Sequence, residues 1–174
     1  MKVLIDAGHG IDTPGKRSPD GSFLEYLWNR QIADLVIARL VSRGVDASLV
    51  VTETNDISLR TRAMRVNRIC DQVGAQNVLL VSIHSNAAGN GSAWMNAKGW
   101  SCYTTPGKTG SDEFAECFYD AFTRAFPDRR MRETSQMVTP TMRRISTSLP
   151  RPNAGQSSWK TFSMTTGRNV HGCS

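Results

Sequence analysis

The run Val78-Leu79-Leu80-Val81-Ser82-Ile83 is apolar but for one serine. A strand covered on one face alternates apolar with polar side chains. An almost unbroken apolar run of this length therefore reads as a strand buried on both faces, as in a parallel sheet flanked by helices. It ends in His84-Ser85-Asn86, and a loop rich in Gly, Asn and Ala follows. A shorter run, Val3-Leu4-Ile5, leads in the same way into Asp6-Ala7-Gly8-His9-Gly10, a buried strand delivering a glycine-rich turn.

The segments around these runs read as helices and strands in alternation. From Glu25 to Arg43 the apolar residues Leu27, Ile32, Leu35, Val36 and Leu40 recur at helical spacing, and Gly44 is placed to stop the helix. Val45–Val51 is a second strand, and Asp56 or Ser58 caps a helix through Leu59, Ala63, Val66 and Ile69 to Gly74. Gly99–Thr104 is a further strand. Ser111–Phe126 is a helix with Phe114, Phe118, Phe122 and Phe126 on one face. The expected fold is α/β, a three-layer sandwich with a mainly parallel central sheet and helices on both faces. After about Pro127 Ser, Thr, Pro and Arg become dense, and the pattern supports neither helix nor strand.

Length and charge narrow the function classes. At 174 residues and 39% hydrophobic content the chain suits one domain. No stretch approaches the roughly eighteen apolar residues of a membrane span, and the N-terminus shows no signal peptide. Membrane insertion is therefore not expected. The net charge of +6 hints at nucleic acid, but residues 131–174 hold six basic side chains against one acidic, and the first 130 hold 15 against 14. An almost neutral body argues against a nucleic-acid partner. Cys70, Cys102, Cys117 and Cys173 lack paired spacing and read as buried or free thiols.

Two of the three histidines, His9 and His84, directly follow strand patterns. Ligands bind at the carboxyl ends of strands in an open α/β sheet, so both imidazoles would face one crevice. Glu25, opening the first long helix beyond a flexible loop, could bring its carboxylate there. Two His and one Glu form a recurrent ligand set of catalytic zinc, with a fourth position left for water. The plainer alternative is that each histidine is a hydrogen-bonded turn residue and Glu25 serves the helix dipole. Asp6, Asp12 and Asp20 compete as carboxylates, and spacing alone does not select among them.

The segment Val3-Leu4-Ile5-Asp6-Ala7-Gly8-His9-Gly10, a Glu opening the next helix, Leu59-x-x-Arg62-x-x-x-Val66-Asn67, and Val81-Ser82-Ile83-His84-Ser85-Asn86-Ala87 stand in this order. In order and spacing they resemble the catalytic domain of zinc-dependent N-acetylmuramoyl-L-alanine amidases, hydrolases that cut the bond between N-acetylmuramic acid and L-alanine in peptidoglycan. The resemblance implies that His9, Glu25 and His84 ligate Zn2+, that Asn86 borders the substrate groove, and that Arg62 and Asn67 are structural. It further implies an amidase domain over residues 1–126, incomplete at its C-terminal end. Without a signal peptide, the expected location is cytoplasmic until release, with action at the cell wall as in a phage-type lysin. The alternative function is a zinc- or peptidoglycan-binding protein without catalysis.

The family's general base is a second Glu, on a late strand in an apolar-apolar-apolar-Glu context followed shortly by Phe. No such segment occurs here. The sole acid after residue 130 is Glu133, between Arg132 and Thr134, so the catalytic residue is unknown in this frame. The genetic code admits an origin for the gap. Read with each codon's third base joined to the next two, TGG of Trp159 and AA of Lys160 give GAA, a glutamate codon. With TCN codons at Ser157 and Ser158, the shifted frame admits Val-Leu-Leu-Glu-Asn-Phe-Phe-Tyr-Asp. A frameshift between about Pro127 and Ser135 would make residues 127–174 an out-of-frame basic tail; otherwise they read as disordered.

Overall fold

The computed structural model describes residues 1–85, 92–94, 99–104 and 110–127, together with the backbone of 160–167. Its elements are β1 (Lys2–Ala7), α1 (Glu25–Val41), β2 (Asp46–Leu49), α2 (Leu59–Val73), β3 (Val78–Ser85), β4 (Gly99–Thr104), α3 (Gly110–Ala125) and β5 (Lys160–Gly167). One five-stranded sheet has the order β2-β1-β3-β5-β4. β1 pairs parallel with β2 and β3, β3 pairs parallel with β5, and β4 runs antiparallel beside β5. The mainly parallel sheet is as expected. The antiparallel edge was not legible in the sequence.

Alternation along β1 and β3 divides the core in two. Val3, Ile5 and Ala7 join Leu79, Val81 and Ile83 on one face, where Ala33 of α1 and Ala115 of α3 pack. Leu4, Val78 and Leu80 face the other way, against Val66 and Cys70 of α2. Helices thus cover both faces, which is why the central strands are apolar throughout.

The helices begin and end for local reasons. The Ser58 side chain accepts from Thr61 N and caps α2, as expected, and Gly74 ends it with a φ of 84° that suits glycine. Phe114, Phe118 and Phe122 pack on the core, whereas Phe126 is half exposed. The helical spacing read for α1 holds, and Ile32, Val36 and Leu40 pack on the core, but Leu27 and Leu35 are exposed and the fully buried positions are Glu25, Asn29 and Ala33. Two of these are polar because Glu25 and Asn29 reach the strand ends, where Ser85 N and Gly8 O are their partners, whereas Ala33 packs in the core.

β5 corrects the reading of the tail. The sequence supported no strand after Pro127, yet the backbone of Lys160–Gly167 lies between β3 and β4. Its threonines and alternating Phe162 and Met164 suit a strand, but the segment is short and set among polar residues. Residues 128–159 and 168–174, which make up the rest of the expected tail, lie outside the described residues, as does Cys173. Cys70 and Cys102 are buried and Cys117 exposed, all three as free thiols. Burial pushes the Cys102 thiol up to about 12.

Candidate metal centre

Register brings the two histidines together. Ala7, the last residue of β1, pairs with Ile83, and Gly8 N donates to Ile83 O at 3.0 Å, so the turn after β1 begins beside His84 and Ser85, the last two residues of β3. His9 stands in that turn, and its Nε2 lies 3.2 Å from Nδ1 of His84. Gly8 makes the approach possible, because a Cβ there would stand 2.2 Å from Cε1 of His84. His9 has a φ of 64°, the one positive value among described non-glycine residues. A left-handed backbone at such a residue costs on the order of 1–3 kcal/mol and is typical of sites where geometry is imposed.

Glu25 completes the group. The loop before α1 is organised by its own hydrogen bonds and is not a free tether. Asp20 accepts from the hydroxyls of Ser18 and Ser22, Arg17 bridges Leu24, and Glu25 N donates to Lys16 O. The ordered loop delivers the Glu25 carboxylate, 6% exposed, to the strand ends. There Oε1 accepts from Ser85 N at 2.9 Å and stands 3.4 Å from His9 Nε2 and 3.5 Å from His84 Nδ1. Burial alone would raise the pKa of this carboxyl, but contacts with His84, His9 and the Ser85 N–H outweigh it. The carboxyl is held well below its ordinary range and is ionised.

The competing carboxylates are committed elsewhere. Asp6 pairs with Arg62 at 2.6 Å and accepts from Ser82 Oγ, Asp12 accepts from Asp56 N, and Asp20 serves its turn. Arg62, 3% exposed, also donates to Ala7 O, Ile57 O and Asp56. It is structural, as its motif implied. The single cluster of potential metal donors among the described residues is His9, Glu25 and His84.

The donor set fits a zinc ion. Atoms about 2.0–2.1 Å from a tetrahedral zinc stand about 3.3–3.4 Å from one another, and these three are separated by 3.2, 3.4 and 3.5 Å. Two imidazole nitrogens and an ionised carboxylate suit a borderline-soft cation. The histidine side chains are 17% and 29% exposed, so one side of the triangle faces solvent.

A sequence profile of N-acetylmuramoyl-L-alanine amidases matches residues 3–150. The chain belongs to this family. Among solved structures, an N-acetylmuramoyl-L-alanine amidase from Clostridium difficile 630 superposes with a TM-score of 0.67 at 27% identity. The match covers 94% of this chain and 77% of that one. The catalytic domain of CwlV from Bacillus (Paenibacillus) polymyxa var. colistinus gives 0.63 at 18% identity, covering 94% and 78%. CwlD from Clostridioides difficile, solved in complex with the GerS lipoprotein, gives 0.64 at 19%, covering 95% and 81%. No curated protein matches significantly.

Within this amidase, Asn86 lies outside the described residues. The sequence reading did not single out Asn29 or Arg30. Asn29 Nδ2 donates to Gly8 O, and Arg30 Nη1 donates to His9 O. Their one signal was their distance from Glu25, about one helical turn along α1.

Proposed function

We propose that this chain binds Zn2+ through His9 Nε2, Glu25 Oε1 and His84 Nδ1. Its substrate is the amide bond between N-acetylmuramic acid and L-alanine of peptidoglycan, and its place of action is the cell wall. The observation behind this reading is the donor triangle at the carboxyl ends of β1 and β3, in a chain of the amidase family. Bound zinc would supply polarisation of the amide carbonyl and acidification of a water molecule. The chain's own residues prepare the site. Gly8 admits the His84 ring, Ser85 N–H orients the Glu25 carboxylate, and the solvent-facing side of the triangle leaves room for substrate. Among the described helices none is long and apolar enough to cross a membrane.

Turnover in this chain is expected to be impaired. Hydrolysis also needs a group to take a proton and deliver it to the leaving amine. β5 contains no acidic residue, and Thr165 is the residue paired with His84. The metal group includes no second carboxylate among the described residues. Absence of a general acid-base group lowers turnover by roughly 10²–10⁴-fold. The same observation favours a second reading, in which the site binds zinc and peptidoglycan without cutting.

The proposed frameshift has observations on both sides. The codon junction of Trp159 and Lys160 gives glutamate when shifted, as the missing strand requires. Against it, the family match runs to residue 150, past the interval 127–135, and Lys160 pairs with Leu79, five positions before His84 meets Thr165. The deciding assay compares this chain with one carrying the shifted reading, by release of L-alanine amino groups from peptidoglycan. A gain of about 10²-fold or more in the restored chain supports the impairment. Equal rates would contradict it, and binding with no cleavage by either chain would favour the non-catalytic reading.

A further inference from the structure

We propose that Asn29 and Arg30 are positioning residues for His9, fixing the turn that aims Nε2 at Glu25 and His84. The inference rests on the zinc reading above and adds to it two residues outside the donor triangle.

The geometry begins with α1, which supplies Glu25 and, about one turn later, two donors directed at consecutive carbonyls. Asn29 Nδ2 donates to Gly8 O at 3.1 Å from a fully buried side chain. Its Oδ1 lies 3.4 Å from the hydroxyl of Ser85, on the strand that bears His84. The amide therefore ties the two histidine-bearing strand ends together with a defined orientation.

Arg30 acts on the next carbonyl. Nη1 donates to His9 O at 2.9 Å and to Tyr26 O at 3.2 Å, while Nη2 and Nε donate to Glu53 O at 2.7 and 3.2 Å. One guanidinium thus fixes the His9 turn against α1 and the segment after β2. Only a planar fork satisfies these directions together, and a lysine ammonium reaches one or two of them. The need for such a hold is plain at His9, whose φ of 64° is a conformation that side chains other than glycine rarely adopt. Relaxation of that backbone would swing the imidazole away from the other two donors.

The test uses the full chain with Arg30→Lys and Asn29→Ala, and with Leu35→Ala as a control at an exposed position on the same helix. Zinc affinity is measured by competition with a chromogenic chelator, and site geometry by the visible absorption of the cobalt-substituted protein. Arg30→Lys is expected to weaken zinc binding by about 10–100-fold, the usual effect of losing a contact that orients a ligand, and to change the cobalt spectrum. Asn29→Ala should do the same, and Leu35→Ala should match the parent. Should Asn29→Ala fail to fold, Arg30→Lys decides alone. Parental affinity and an unchanged cobalt spectrum in Arg30→Lys, with metal lost in His84→Ala, would overturn the inference and leave the zinc reading standing. Undiminished zinc in His84→Ala would overturn both.

Discussion

Nε2 of His9 lies 3.2 Å from Nδ1 of His84, with the rings edge to face at 84°, although 75 positions separate the residues in sequence. The contact follows from parallel pairing of β1 with β3. Once Ala7 is level with Ile83, the turn that carries His9 and the last residues of β3, His84 among them, meet at the same end of the sheet. The Glu25 carboxylate closes the triangle from α1, and its ionised state supplies the negative charge that a divalent cation needs.

Gly8 should be intolerant of any side chain. A Cβ would lie 2.2–2.6 Å from three atoms of the His84 ring. A side-chain ring can move aside, so Gly8→Ala is expected to fold, with Nδ1 displaced from the triangle. Zinc titration should show affinity reduced by about 10-fold or more. Parental affinity would mean that His84 reaches the metal from another rotamer.

Arg62 and Asp6 form a buried pair beneath the strand ends, at 3% and 5% side-chain exposure. Arg62→Ala would leave the buried Asp6 carboxyl and the carbonyls of Ala7 and Ile57 without this donor. Breaking such a pair costs about 3–5 kcal/mol, a large part of the stability of an ordinary domain. Urea unfolding monitored by circular dichroism should show a loss of this size, and a change below about 1 kcal/mol would contradict the structural role.

Glu53 provides a pH test away from the metal group. Its hydrogen bond with Arg65 lowers the carboxyl from 4.5 to about 2. A folded-state pKa below the unfolded value gives a contribution present above about pH 4.5 and lost as pH falls toward 2. The difference in Tm between the parent and Glu53→Gln should be greatest above pH 4.5 and close as pH falls through that interval. A difference independent of pH would exclude the ionised pair as its source. The residue is well exposed, and salt should shrink the effect.

Legibility in the sequence followed how local each cause is. β1 and β3 could be read because burial on both faces leaves a continuous apolar signature, and α2 because Ser58 and Gly74 bound it. Both histidines were legible as strand-end residues. Selection of Glu25 over Asp6, Asp12 and Asp20 from the residues alone was not possible. It depends on Arg62, Asp56 and two serines engaging the other three carboxylates through tertiary contacts. Asn29 was invisible for a related reason, since a buried amide interrupts the apolar stripe that marks a helix face. β5 was missed because Lys160–Gly167 is short, set among polar residues and without an apolar run to mark it.

The most direct measurement is the zinc content of the purified full chain after dialysis against metal-free buffer, beside His9→Ala and His84→Ala. One zinc per chain in the parent and loss of stoichiometric metal in both variants is the expected result. Stoichiometric zinc retained in either variant, or a parent chain that takes up none when zinc is supplied, would contradict the assignment of His9, Glu25 and His84 as a metal site.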